Sequence, residues 1–416
     1  MDTLLDQGNQ LQARQSRGVG LTKKKIVHAL AASVIVLAGI FFISAAGNRA
    51  GRDFISYWSA GTMLVHRGDP YSIAHVLALE NANGYSGASP LTMLNPPWAL
   101  FLTVPLGFGS PATGLFLWTL ATAGCIVAFI RLLKLPVEDR MFAFLFAPAV
   151  AVFRLSQSSP FLLLGFSLFL CLYRRRPFLA GASLLFMAIK PHLFLVFWVV
   201  LLVDCIYRRS LLLFAGLLSA LVGATAFAMC FDVHIWQHYF AMLRGLELGD
   251  KFFPTTSMVF RLLVDARATW LLFVPSGVAI VWGLWYYVRN RRAWNWRWHG
   301  MLLMLVTVAV SPYSWFPDEV VLLPSLAFVF TFPRRRKHAV KILVAINMVA
   351  LLVLMVGHPS LSSGAYLWTP LAWLMWFLYA TNGLRIQSGS STIQPEQEKV
   401  SLVAGVPLRH GVNLLS

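Results

Sequence analysis

The side chains of this chain best placed for chemistry are one boundary carboxylate, a few scattered cations, an amide and a pair of adjacent acids. Asp53 stands in Gly-Arg-Asp-Phe-Ile-Ser-Tyr-Trp, just past the first long apolar segment. A carboxylate there falls at a membrane edge, where a lipid headgroup and a water-borne substrate can meet. It can take up a proton, or it can simply cap the helix that follows, a role worth about 1 kcal/mol. Lys190 lies in Lys190-Pro191-His192, a break between two short apolar runs. An ammonium there suits an anionic phosphate, or a structural pairing with a carboxylate. Arg154 and Gln157, in Arg-Leu-Ser-Gln-Ser-Ser-Pro, and Arg261, in Pro254-Thr-Thr-Ser-Met-Val-Phe-Arg, add polar groups at the ends of apolar runs. Such groups are costly and tend to line cavities, although Arg154 can also snorkel to the surface.

Asp318 and Glu319 follow Ser311-Pro-Tyr-Ser-Trp-Phe-Pro. Adjacent carboxylates on a helix cannot face one spot. One is expected to meet substrate hydroxyls while the other faces water, unless both serve only the helix N-terminus. Trp236, His238 and Tyr239 suit either sugar stacking or a membrane-interface belt. Gly-x-x-x-x-Gly-Lys-Ser/Thr and a clear Gly-x-Gly-x-x-Gly are absent, so a soluble nucleotide donor is not supported. His-Glu-x-x-His and Gly-x-Ser-x-Gly are absent too. Cys125, Cys171, Cys205 and Cys230 are scattered without a Cys-x-x-Cys, which argues against a disulfide framework or a zinc site. No cofactor is expected, and no cluster of metal ligands stands out.

The elements that must position these groups follow from composition. Of 416 residues, 58% are hydrophobic and only 12% charged, with mean hydropathy +0.68; soluble domains carry about 25% charged residues. Many apolar runs near 20 residues imply an all-α polytopic membrane protein, and the shorter alternating segments of a membrane β-barrel are absent. Roughly twelve spans are expected, near Ile26–Ala46, Pro111–Leu133, Met141–Phe153, Phe161–Tyr173, Phe178–Ile189, Leu193–Ile206, Leu211–Phe231, Ala268–Val288, His299–Val310, Val320–Phe332, Ala339–Val356 and Leu367–Ala380. The net charge of +18 sorts onto one side of these spans. Counting from a cytoplasmic Lys23-Lys24-Lys25, that side holds 25 Lys/Arg and 7 Asp/Glu, and the other holds nine of each. This is the positive-inside pattern. Attraction to anionic lipid accounts for the charge, and nucleic acid is excluded as a partner.

Met1–Thr22 and Gln387–Ser416 read as disordered cytoplasmic tails, with one membrane domain, 23–386, between them. No cleavable signal peptide is expected, since the first apolar run reads as a retained span. The elaborated loops, 47–111, 231–267, 311–319 and 357–369, all fall on the outer side, which points to an outward-facing working side. In the first of them Asp53 and Tyr57 share one helical face, and Phe54, Trp58, Gly61 and Val65 another. An interfacial helix on the membrane is expected there, with a second over Ser72–Asn81 and a half-buried or re-entrant run at Trp98–Leu106.

Taken together, these segments resemble glycosyltransferase family 87, a branch of the GT-C superfamily. The resemblance rests on Arg52-Asp53-Phe54…Tyr57-Trp58-Ser-Ala-Gly61…Gly68-Asp69-Pro70-Tyr71, Asn95-Pro96-Pro97…Val104-Pro105-Leu106…Trp118, Gln157-Ser158-Ser159, Ala180-Gly181…Lys190-Pro191 and Ser311-Pro312-Tyr313-Ser314-Trp315. It implies a GT-C-like fold and an inverting transfer of a hexose, mannose first, from a polyprenyl-phosphate donor to a lipid or glycan acceptor outside a bacterial-type cell membrane. It implies Asp53 as catalytic base and Lys190, Arg154, His192 and Arg261 as donor-phosphate ligands, Lys190 foremost. Tyr57, Gln157, Asn95, Trp315 and Asp318 are implied on the substrate. The chain departs from the family at Ser156, where Gly is common, and at Phe316-Pro317-Asp318, where some relatives carry His. A transporter or flippase of a lipid-linked sugar is the main rival reading, and an inactive structural subunit the second.

Overall fold

The computed structural model describes residues 53–382, apart from 88–89, 92, 246–251, 331–335 and 357–363. Both expected tails and the first expected span lie outside the described residues. Among the described residues every regular element is helical, as a chain that must satisfy its backbone hydrogen bonds in hydrocarbon requires.

The chain opens with α1 (Asp53–Val65) and α2 (Ile73–Ala82), then a 3-10 segment (Pro97–Leu102) and the short α3 (Val104–Gly107). Next come α4 (Pro111–Leu132), α5 (Val137–Leu145), α6 (Ala147–Leu155), α7 (Ser159–Leu172) and α8 (Pro177–Ser183). Two 3-10 turns, Met187–Ile189 and Pro191–Phe194, lead into α9 (Leu195–Arg208), followed by α10 (Leu211–Met229), α11 (Ile235–Arg244) and α12 (Thr256–Val264). After a further 3-10 segment come α13 (Val274–Asn290), α14 (His299–Ala309), a 3-10 helix (Phe316–Leu322), α15 (Leu323–Val329), α16 (Arg336–Val356) and α17 (Thr369–Thr381).

Five helical stretches, at 111–132, 191–208, 211–229, 269–293 and 337–356, are long and apolar enough to cross a membrane. They coincide with five of the expected spans. α10 buries only Leu213, Gly216, Ala224 and Ala228; its remaining apolar surface is open, as on a helix facing lipid.

Several other expected spans are interrupted. Met141–Phe153 breaks at Phe146, whose extended backbone separates α5 from α6. Phe178–Ile189 is α-helical only to Ser183 before tightening into a 3-10 turn. Val320–Phe332 begins inside the 3-10 helix and continues as the seven-residue α15. Proline opens several of the short segments. Pro148, Pro160, Pro191 and Pro317 each sit in the first turn of the segment they open. There the missing N–H costs nothing, and before Pro191 the backbone of Lys190 leaves the helical region, at φ −127° and ψ 71°.

The expectation of an interfacial α1 is corrected. Phe54, Ser56, Tyr57, Trp58, Ser59, Ala60, Gly61 and Leu64 are all buried, so this helix packs into protein on most sides. Its contact is backbone to backbone. A Cβ on Gly61 would strike the Thr103 carbonyl, and one on Gly107 would strike the Gly61 carbonyl. Only glycine permits that approach. α2 and the 97–107 run form near the positions expected of them.

Candidate active site

Three departures from α-helix and the first turn of α1 meet at one place, and each brings one polar side chain. α1 presents Asp53 from its first turn. The α6–α7 joint presents Gln157, the break before Pro191 presents Lys190, and the 3-10 helix after α14 presents Asp318. The side chains form one hydrogen-bonded path. Gln157 Nε2 donates to Asp53 Oδ2. Lys190 Nζ donates to Gln157 Oε1 at 3.1 Å and to Asp318 Oδ1 at 2.7 Å. Residues separated by 104, 33 and 128 positions are thereby joined.

Local structure explains each placement. Ser156 ends α6 in the left-handed region, at φ 56° and ψ 44°, which turns the chain sharply and aims Gln157 inward. A residue at positive φ favours glycine, and serine holds this one. The Ser156 carbonyl is held by Trp118 Nε1 at 2.8 Å, and the Trp118 ring stacks on Tyr57 with centroids 4.8 Å apart. Tyr57 hydroxyl lies 3.2 Å from Ser158 Oγ and 3.5 Å from Gln157 Oε1. Burial raises this phenol above the ordinary tyrosine range, so it stays a neutral donor. Asn95 Nδ2 ties down the Ile189 carbonyl at 2.9 Å, and its own carbonyl accepts from Tyr71 hydroxyl at 2.9 Å. Trp98 Nε1 holds the adjacent Ala188 carbonyl at 2.8 Å. The strand of backbone leading into Lys190 is therefore pinned from the first loop.

Lys190 and Asp318 lie between or beyond the five spanning stretches. Burial acts against both charges, but their mutual attraction outweighs it. It holds the ammonium above the usual lysine range and the carboxyl below the usual carboxylate range. Asp318 also accepts from Ser159 Oγ and from the Trp315 backbone N–H, the latter at 3.0 Å as the cap of its own 3-10 helix.

Asp318 is 1% exposed and Glu319 2%, so the expectation that one acid of the pair faces water is corrected. Glu319 is buried as well and turns the opposite way. Its carboxyl meets Thr369 Oγ1 and Trp373 Nε1, each at 2.7 Å. Burial pushes it up to about 8. Thr369 has one hydroxyl hydrogen, which either Glu319 Oε1 or the Tyr366 carbonyl, 2.8 Å from the same oxygen, can accept.

The two expected arginine ligands each hold a backbone carbonyl. Arg154 Nη1 donates to the Leu354 carbonyl at 2.6 Å, and Arg261 Nη2 donates to the Ala266 carbonyl. His192 stacks on Tyr313 with centroids 3.8 Å apart, one residue from Ser314 and two from Trp315. Trp315 is half-buried against Phe253, at 5.3 Å. The expected aromatic patch is a helix, α11, packed on the first loop. Tyr239 lies 5.3 Å from Tyr71, Trp236 lies 5.5 Å from Trp98, and His238 Nδ1 lies 3.6 Å from Asp69 Oδ1. Ser158, Ser159, Trp118 and Tyr313 were not singled out for roles from sequence. The unbroken polar run Ser156-Gln157-Ser158-Ser159 inside an apolar stretch was the available signal for the serines. Among the described residues, no three His, Cys, Asp or Glu side chains are grouped to hold a metal ion.

A family model described as glycosyltransferase family 87 matches residues 93–312, just over half of the chain. The matched stretch contains Asn95, Arg154, Gln157, Lys190, His192 and Arg261; Asp53, Tyr57, Trp315 and Asp318 flank it. No curated protein and no solved structure matches the chain.

Proposed function

This chain belongs to glycosyltransferase family 87, and on that premise we propose that it moves a hexose, mannose first, from a polyprenyl-phosphate donor to a lipid or glycan acceptor at the outer face of a cell membrane. Asp53 is the base. It takes the proton of the acceptor hydroxyl as that oxygen attacks the anomeric carbon. The bond from that carbon to the phosphate oxygen breaks, and its electron pair leaves with the polyprenyl phosphate. One displacement inverts the anomeric configuration, as in single-step glycosyl chemistry. An ammonium has three N–H donors. Gln157 and Asp318 take two from Lys190, and the leaving phosphate takes the third, which stabilises its developing charge. His192, two residues after Lys190 and stacked on Tyr313, is the next candidate for the phosphate.

The observation that carries the reading is the path from Asp53 through Gln157 to Lys190. It couples a carboxylate able to accept a proton to a cation able to meet an anion, at a point where helices are interrupted. Interrupted backbone at membrane depth is tolerated only against protein or a water-filled cavity. A lipid-linked donor also explains the lack of a nucleotide-cradling motif. The test is transfer of label in proteoliposomes, with radiolabelled polyprenyl-phosphate mannose as donor and total lipid extract of the native membrane as acceptor pool. Asp53→Asn should insert normally and lose about 10²–10⁴-fold in rate, the usual contribution of a positioned base. Full transfer by Asp53→Asn would overturn the assignment.

A further inference from the structure

The path contains a directional element that the proposed function does not require, and it lies in the Gln157 amide. A carboxamide has one acceptor end and one donor end. Lys190 Nζ can only donate, and it sits 3.1 Å from Oε1. Tyr57 hydroxyl approaches the same oxygen at 3.5 Å. The amide can satisfy Lys190 only by turning its NH2 away from it, and that NH2 meets Asp53 Oδ2. Gln157 is itself buried, 5% exposed, and its backbone is set by the left-handed Ser156 and by its own N–H bonding to Val152 O at 3.1 Å. Lys190 is in turn held by Asp318, and Asp318 by Ser159 and the Trp315 N–H. Each member fixes the donor or acceptor sense of the next.

We propose that Gln157 is a positioning residue: its amide, locked in one orientation by Lys190, donates to Asp53 and so keeps that carboxylate ionised and turned for proton uptake. This role rests on the reading of Asp53 as the base. It differs from direct contact between Gln157 and substrate, because it predicts an effect on the protonation of Asp53. A hydrogen bond to an ionised acceptor favours the charged form. Tyr57 from its own helix and Lys190 from the break before α9 interact electrostatically with this carboxylate, and Asp318 lies behind Lys190. The Lys190–Asp318 pair is neutral as a unit, so the amide supplies a donor to Asp53 without adding a charge to the site.

The test is the pH profile of kcat/KM for label transfer in the same proteoliposomes, for the wild type, Gln157→Leu and the isosteric Gln157→Glu. Loss of this bond to a charged group in Gln157→Leu should move the acid limb up by about one to two pH units. Gln157→Glu replaces the donor by a second carboxyl facing Asp53 and should move the limb at least as far, as two acids sharing one proton do. It also keeps the side-chain shape should Gln157→Leu fold poorly. An acid limb unmoved in both variants, whatever the change in rate, would overturn the proposal. Asp53→Asn separates the two claims. An inactive Asp53→Asn with unmoved Gln157 profiles refutes the positioning role alone, whereas an active Asp53→Asn refutes the base.

Discussion

Two buried aspartates are each bonded to a basic side chain near one end of α9, Asp204 within its last turns and Asp318 through Lys190, five residues before its start. At one end Asp204 accepts from Arg208 Nε at 2.6 Å, from Tyr287 hydroxyl at 2.8 Å and from Trp296 Nε1 at 2.8 Å. Arg208 then reaches the carbonyls of Arg291 and Trp294, both at 3.2 Å. That knot closes on backbone and on aromatic N–H and O–H groups, and its ion pair is a local i,i+4 contact. At the other end the Lys190–Asp318 pair spans 128 residues and does not close. It hands its orientation through Gln157 to Asp53. A pair whose members satisfy one another and the backbone is a fastener. A pair that passes a donor sense outward to another carboxylate has work beyond fastening.

Substitutions that separate fastening from turnover would break or sharpen this contrast. The largest effect belongs to Asp53→Asn, about 10²–10⁴-fold in transfer rate with little change in stability. Next is Lys190→Met, which leaves Asp318 buried and unpaired. It should cost about 3–5 kcal/mol of stability as well as transfer. The double variant Lys190→Met/Asp318→Leu should regain most of that stability, because a buried pair replaced by apolar groups is often neutral, yet regain no transfer. Recovery of both would make the pair a fastener like the one at Asp204. Asp204→Asn should cost about 1–3 kcal/mol and leave the rate per folded molecule unchanged. Thermal unfolding in detergent at fixed pH reads each of these.

The smallest effect concerns Glu319. Its folded-state value is raised to about 8 by burial, while an unfolded glutamate titrates near about 4.3. Between those values the folded protein holds a proton that the unfolded chain releases, so stability falls as pH rises through this window. The contribution is complete below the unfolded value and is lost as pH climbs through about 8. Glu319→Gln imitates the neutral acid, and its melting temperature should change less between acidic and mildly alkaline pH than that of the wild type. Equal slopes for the two proteins would contradict a neutral Glu319.

Much of the frame was legible in the chain itself. Apolar length and low charge identify the membrane class, and five expected spans are continuous helices. Asp53, Gln157, Lys190 and Asp318 stood out as polar residues beside breaks, and they meet. Their pairing was not legible, because nothing local relates Lys190 to a residue 128 positions away. The sense of Asp318 and Glu319 was also hidden. Adjacency forces them apart, but only the packing of α17, with Thr369 and Trp373, gives Glu319 a buried partner set in place of water. α1 misled for a different reason. Its apolar stripe matches an interfacial helix, and the close approach of Gly61 to Thr103 and Gly107 depends on a glycine contact that periodicity does not register. Short segments broken by proline looked like spans because hydropathy counts residues and is blind to the 3-10 turns that prolines start.

The central claim is that the end of α9 near Lys190 is the catalytic one and the Asp204 end is structural. Its most direct test is one paired measurement: initial rates of mannose transfer by Asp53→Asn and Asp204→Asn, in the same proteoliposomes and at matched folded fraction. The account predicts a loss of at least about 100-fold for Asp53→Asn and a rate within about twofold of wild type for Asp204→Asn, the scatter expected of a residue outside the reacting centre. Comparable losses in both, or transfer retained by Asp53→Asn, would contradict it.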